Sequence, residues 1–293
     1  MKCFACISAL LLTFVSSACR APHRSELIVS SKFFTEQVVL AELLAQHIEA
    51  RTGIPVRRKS NLGGTLLVQK AMLSGEVDLY VEYTGTALTA VLAEQPQGDS
   101  SSVYRRVKEE YSRRFAFEVL EPLGFANSFA MVVRGEDARN QHLTKMSDVG
   151  PLAPHWRAGV GYEFLERPDG YKGWSERYAL KFGKDPSVLD LGLLYRALAE
   201  RKVDIVAGNS TDGLIDALGL VPLADDRHYF PPYDAVPIVR RAALEKFPQL
   251  RATLADLAGK ISEEEMRRLN RQVDADQRDV VTVVREFRAA KGL

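Results

Sequence analysis

Short apolar runs alternate along this chain with stretches in which apolar residues recur at helical spacing. Residues 27–29 read as a strand, and Val38, Val39, Leu43 and Ile48 mark a helix over 35–51 with Thr35 as its cap and Gly53 as its stop. A second strand is predicted over 56–59, a helix over 65–74 behind Gly63 and Gly64, and a third strand over 77–81 that opens into Glu82-Tyr83-Thr84-Gly85-Thr86. Helices around 86–93 and 103–115 follow. A second run has strands at 129–133, 159–162, 203–207 and 220–223, with helices at 174–182 and 191–202. After Phe230-Pro231-Pro232-Tyr233 the pattern is mainly helical, at 244–247, 250–258, 262–273 and 280–290.

Strands alternating with helices predict an α/β fold with helices on both faces of the sheets. The tail helices cannot bury their apolar faces alone and are expected to pack back on the first run. Two lobes result, each a mixed sheet flanked by helices: 26–125 plus 234–293 form the first and 126–233 the second. The chain crosses between them near 125–129 and 227–237.

The amino terminus changes the picture of where such a chain works. Lys2 precedes an apolar stretch over 4–15, and Ser16, Ser17 and Ala18 lead to Cys19, the layout of an export signal. The run is shorter than the roughly 20 apolar residues that span a bilayer, and no later segment approaches that length. The Ser-Ser-Ala-Cys sequence resembles a bacterial lipobox, with Ser16 where leucine is usual. Residues 1–19 are therefore expected to be a signal peptide, with Cys19 lipidated and the mature chain held at the periplasmic or outer surface of a membrane. Cys3 and Cys6 fall inside the signal, so the mature chain has no disulfide and no thiol for catalysis.

Composition excludes more than it assigns. Thirty-nine Lys and Arg residues face 38 Asp and Glu residues, so no global field attracts nucleic acid, and the short clusters Arg57-Arg58-Lys59, Arg105-Arg106 and Arg113-Arg114 read as solvated faces. The five histidines, His23, His47, His142, His155 and His228, are isolated, which speaks against a metal site; no cofactor is expected. Ser210 within Gly208-Asn209-Ser210-Thr211-Asp212-Gly213 lacks the spacing of a nucleophile elbow, leaving a secreted hydrolase as a weak alternative. Gly63-Gly64-Thr65 has neither the lysine of a phosphate loop nor dinucleotide spacing, and reads as a packing turn.

What remains is a set of loops at the carboxyl ends of predicted strands, where open α/β sheets bind ligands. Lys32, Phe33 and Phe34 follow the first strand, Tyr83 and Thr86 the third. Glu163 and Arg167 follow one strand of the second lobe, Asn209, Ser210 and Thr211 another, and Tyr233 sits at a crossing. Closure of the lobes would bring these groups to one cleft.

The chain resembles the substrate-binding proteins of osmoprotectant importers, which bind glycine betaine, choline and carnitine. The resemblance runs from about Leu27 to the end. It is carried by Ser31-Lys32-Phe33-Phe34-Thr35-Glu36-Gln37, Asn61-Leu62-Gly63-Gly64-Thr65, residues 77–86, Ser210-Thr211-Asp212-Gly213 and residues 230–237. It implies a type II periplasmic-binding fold, a non-enzymatic monomer, and delivery of the captured solute to a permease with its ATPase. In this family a quaternary ammonium sits among tyrosine rings, whose faces attract a cation that has no N–H to donate; each dry face is worth about 0.5–2 kcal/mol. Several such faces, with hydrogen bonds to a carboxylate tail, approach the roughly 8 kcal/mol of micromolar binding.

By motif position Tyr83 and Tyr233 match box tyrosines and Thr86 a carboxylate-side hydroxyl, with Lys32, Glu163, Arg167 and Thr211 as further contacts. Phe129 stands where a tyrosine is common in the family, and Asn209 where another ring is expected. Phe129 keeps a π-face, whereas Asn209 offers an amide and favours a larger or more polar betaine, such as ergothioneine, as the alternative solute. Asp212 is expected to cap a helix, and Glu163 and Arg167, four apart, could equally pair along one.

Overall fold

The computed structural model describes residues 26–95 and 98–293. The segment expected to be a signal peptide, residues 1–19 with Cys19, lies outside the described residues.

Strands β1 (Leu27–Ser30), β2 (Val56–Lys59), β3 (Leu79–Tyr83) and β4 (Phe117–Val119) precede β5 (Phe129–Arg134), β6 (Ala158–Val160), β7 (Ser187–Val188), β8 (Ile205–Asn209), β9 (Leu220–Leu223) and β10 (Ala235–Arg240). They form two five-stranded sheets, in the orders β2-β1-β3-β10-β4 and β7-β6-β8-β5-β9. Each sheet joins three parallel strands to an antiparallel pair. In the first, β1 runs parallel to β2 and β3, and β10 opposes β3 and β4. In the second, β6 runs parallel to β7 and β8, and β5 opposes β8 and β9. The molecule is thus two mixed-sheet lobes flanked by helices.

The tail returns to the first sheet, and it does so through a strand the apolar pattern does not predict. β10 lies inside that sheet, between β3 and β4, although it contains Pro237. The Pro237 carbonyl accepts from the Leu120 N–H just beyond the end of β4, so its nitrogen faces the place where the ladder has already stopped. Behind β10 the helices Leu250–Ala255, Glu263–Asp274 and Val280–Lys291 pack on the helix Thr35–Thr52. Leu40, Leu44 and Ile48 meet Leu254, Met266, Val284 and Phe287 there in one core. The helix Thr35–Thr52 is buried nearly all round, not on a single stripe.

Two predicted caps differ from the structure. Phe34, in extended geometry, occupies the cap position of the first helix, while the Thr35 hydroxyl donates to Asp274 on a tail helix. Asp212 does not cap the short helix Leu214–Ala217, which starts behind Gly213; its carboxylate turns back to Tyr195 and Asn209. Gly53, by contrast, ends its helix at φ 68°, a conformation that costs a residue with a Cβ more than it costs glycine. No helix among the described residues is long and apolar enough to cross a membrane.

Candidate functional site

Both sheets present the carboxyl ends of their parallel strands to the gap between them, and the loops there build a partly open cavity of about 50 Å³. Tyr83 ends β3, Asn209 ends β8 and Phe129 begins β5 directly opposite Asn209. Lys32 follows β1, Glu163 and Arg167 follow β6, and Tyr233 precedes β10. With Thr86, these residues line the cavity. Thr211 does not. Its hydroxyl is fully buried and donates to Glu36, because the chain turns inward after Asn209 toward the first helix.

The ring faces are fixed from behind. Tyr83 is 4% exposed; its hydroxyl donates to Glu36 at 2.6 Å and accepts from Gln37 at 3.1 Å. Tyr233 is 2% exposed and donates to Asp169 at 2.6 Å. Phe129 meets Tyr233 edge-on with ring centres 5.9 Å apart, and Phe164 at 4.7 Å. Phe34 stacks on Tyr83 at 6.4 Å. Burial and the adjacent carboxylates push both tyrosine hydroxyls well above their ordinary pKa, so they stay protonated donors at neutral pH.

Both cationic side chains in the wall are paired. Lys32, 2% exposed, bonds Glu82 and lies 5.2 Å from the Tyr83 ring centre. Arg167 lies 4.9 Å from the Phe129 ring centre and holds Asp169 through Nε at 2.8 Å and Nη2 as well. Burial raises the Asp169 carboxyl, but the Arg167 guanidinium, with donors from Tyr233 and Thr89, outweighs it and keeps the group below the usual carboxylate range.

Besides the Thr211–Glu36 bond, further contacts join the lobes at the cavity. Arg167 donates to the Thr86 hydroxyl at 3.1 Å, Thr89 donates to Asp169 at 2.9 Å, and the Thr65 N–H donates to Glu163 at 2.6 Å. Glu163 therefore has no intrahelical partnership with Arg167. Its carboxylate sits at the amino end of the helix Thr65–Ser74, where unpaired backbone N–H groups favour an anion. The Gly63-Gly64-Thr65 turn, read as packing alone, receives that carboxylate from the other lobe.

The family model for the substrate binding domain of the ABC-type glycine betaine transport system matches residues 25–290. The chain belongs to this family. A carnitine transport binding protein, OpuCC, of Listeria monocytogenes is 36% identical over 98% of this chain and 96% of its own length. The ergothioneine transport permease/ergothioneine binding protein EgtU of Helicobacter pylori is 31% identical over 93% of this chain, which covers 49% of that longer protein. Among solved structures, one described as a glycine betaine/carnitine/choline ABC transporter superposes with a TM-score of 0.76 at 32% identity, over 90% of this chain and 98% of the other.

As a substrate-binding domain of the glycine betaine type, the chain carries site features that its sequence alone does not announce. Asn127 and Phe164 line the cavity, and Asp169 anchors Tyr233 and Arg167. Asn127 lies in a crossing without periodicity, and Asp169 reads as part of the Arg167-Pro168-Asp169-Gly170 turn. Ser210, weighed as a nucleophile, accepts a bond from the Ser128 N–H at 3.1 Å and has no hydrogen bond to a histidine among the described residues.

Proposed function

We propose that this chain is the exported, Cys19-anchored solute receptor of an importer, closing two lobes around a betaine-type quaternary amine and passing it unchanged to a permease and its ATPase. The lobes are 26–125 with 234–293, and 126–233. Strand membership supports this division, with β10 in the first sheet and β5 to β9 in the second.

One observation carries the ligand class: Tyr83, Tyr233 and Phe129, supplied by both lobes, converge on one cavity that also holds Lys32, Thr86 and Arg167. Rings attract a desolvated cation, while the hydroxyl and the cationic side chains suit a carboxylate. The Arg167 guanidinium over Phe129 supports the idea that this ring face accepts positive charge. Because the interlobe bonds form only when the halves meet, a solute that touches both shifts the population toward closure, the form a permease can distinguish. The carnitine-binding relative supports the same class.

A larger betaine is the second reading, supported by the ergothioneine-binding relative and by the wall at Asn209. Beyond Asn209 and Leu191 the cavity adjoins a groove of about 570 Å³ lined by Asp190, Tyr195, Asp212 and Asp274, among others. Calorimetric titration of the mature chain with glycine betaine, choline, carnitine, proline betaine and ergothioneine tests both. Micromolar binding of at least one, recovered intact, is expected; binding of none removes the ligand assignment. Loss of membrane association and of the acyl mass in a Cys19→Ser variant is expected if the anchor is real.

A further inference from the structure

The carboxylates that anchor the two cavity tyrosines do not line the cavity themselves, and each is shared between the lobes. Glu36, 1% exposed, belongs to the first lobe. Its Oε1 accepts the hydroxyl of Tyr83 from the same lobe at 2.6 Å, and its Oε2 accepts the hydroxyl of Thr211 from the second. Asp169, 7% exposed, belongs to the second lobe and repeats the pattern in reverse. Its Oδ2 accepts Tyr233, the last residue of that lobe, at 2.6 Å, and Thr89 of the first lobe at 2.9 Å. Two relays of tyrosine, carboxylate and threonine therefore cross the seam in opposite directions. Thr89 and Thr211 are buried, and neither lines the cavity.

A hydroxyl has one proton to donate. The Thr89 oxygen lies 2.8 Å from the carbonyl of Gly85, four residues back, as well as 2.9 Å from Asp169. A bond to a carboxylate is the stronger, so the proton turns to Asp169 while the lobes meet and returns to Gly85 when they part. Opening then orphans no donor on the first lobe, while Asp169 keeps Arg167 and Tyr233. A contact that breaks in this way is a reversible latch.

We propose, resting on the ligand class argued above, that Thr89 and Thr211 are positioning residues: each hydroxyl fixes, from the opposite lobe, the carboxylate that aims one tyrosine ring, so that ring placement and lobe closure are one coupled event. A solute that holds either ring in place favours closure, and closure in turn holds both rings. Thr211 thereby takes part in binding without touching the solute.

The test separates hydroxyl from shape. Valine keeps the branched outline of threonine and loses the hydroxyl; serine keeps the hydroxyl and loses the methyl. The ligand is whichever of glycine betaine, choline and carnitine binds the parent chain in calorimetric titration. Thr89→Val and Thr211→Val are each expected to weaken its binding about tenfold, the loss of one hydrogen bond to a carboxylate. Both should also lengthen the interlobe distance of the solute-free chain, read by energy transfer between dyes on the two lobes. Thr89→Ser and Thr211→Ser should restore most of the affinity and the shorter distance. A packing role gives the reverse order, with valine mild and serine severe, and overturns the proposal. Parent-like affinity in either valine variant overturns the role of that threonine, and if Thr211→Val does not fold, the Thr89 pair decides alone. Since Tyr233 and Thr89 act through one carboxylate, the loss in Tyr233→Phe combined with Thr89→Val should be smaller than the product of the single losses; losses that simply multiply overturn the coupling. If no quaternary amine binds the parent, the ligand class falls by itself. The distances then decide the latch, which unchanged values in both valine variants overturn.

Discussion

At the scale of single residues, the tyrosines do two jobs that a substitution must separate. Tyr83 and Tyr233 line the cavity and also belong to the core around the first helix, so truncation of either to alanine removes a buried ring as well as a π-face. Loss of a buried aromatic costs about 3–5 kcal/mol of stability, which makes an alanine variant a poor reporter of binding. Tyr233→Leu keeps most of the apolar volume and discards the π-face. Its melting temperature is expected to fall much less than that of Tyr233→Ala, while affinity for the bound quaternary amine drops about tenfold, the loss of one dry ring face. Tyr233→Phe retains the face, frees Asp169 of one donor, and should bind within a few-fold of the parent. Paired calorimetry and melting curves check this, and equal affinity in Tyr233→Leu would place the ring outside the ligand contacts.

At the scale of elements, the decisive contact is a carboxylate from one lobe on the helix of the other. Glu163 reaches the Thr65 N–H at the start of Thr65–Ser74, a bond that exists only while the lobes are together. A carboxylate at a helix amino end contributes about 0.3–1 kcal/mol at an accessible site. Glu163→Gln should therefore lower affinity about two- to fivefold and open the chain in the absence of solute, read by energy transfer between dyes on the two lobes. An unchanged distance distribution would assign Glu163 to the ligand alone. Most elements and the loops that carry Tyr83, Phe129, Asn209 and Tyr233 were legible in the sequence, because period and turn residues mark strand ends. What stayed hidden depends on partners distant along the chain. β10 reads as a break because Pro231, Pro232 and Pro237 crowd it, and only the early end of β4 excuses the missing N–H of Pro237. Glu163 and Arg167 look like a helical pair until the first lobe supplies Thr65 and Thr86, and Asp169 supplies Arg167 with its carboxylate.

At the scale of the whole molecule, three carboxyls gather at the seam between the lobes, Glu36 fully buried and Asp212 and Asp274 half-buried along the groove. Glu36, Asp212 and Asp274 lie where the helix Glu263–Asp274 meets the turn after β8, with Asn270 bonding both Glu36 and the Thr211 carbonyl. Burial raises all three carboxyls, and Asp212, whose Oδ2 accepts from Tyr195 and from Asn209, rises from 3.8 to about 7, with the Glu36 and Asp274 charges adding to the effect. A carboxyl with a raised folded pKa favours folding in its protonated form. The stability Asp212 contributes is therefore fully present below pH 3.8 and is lost as pH climbs through about 7. Asp212→Asn keeps an oxygen for Tyr195 and Asn209, turns its amide toward the groove and cannot ionise. Its melting temperature relative to the parent should rise steadily between pH 4 and 7 and level off above, while Glu36 and Asp274 remain in both chains. Calorimetric scans at five pH values in one salt check this; a difference independent of pH would mean that Asp212 is charged throughout, and that its hydrogen bonds hold the seam without protonation of the carboxyl.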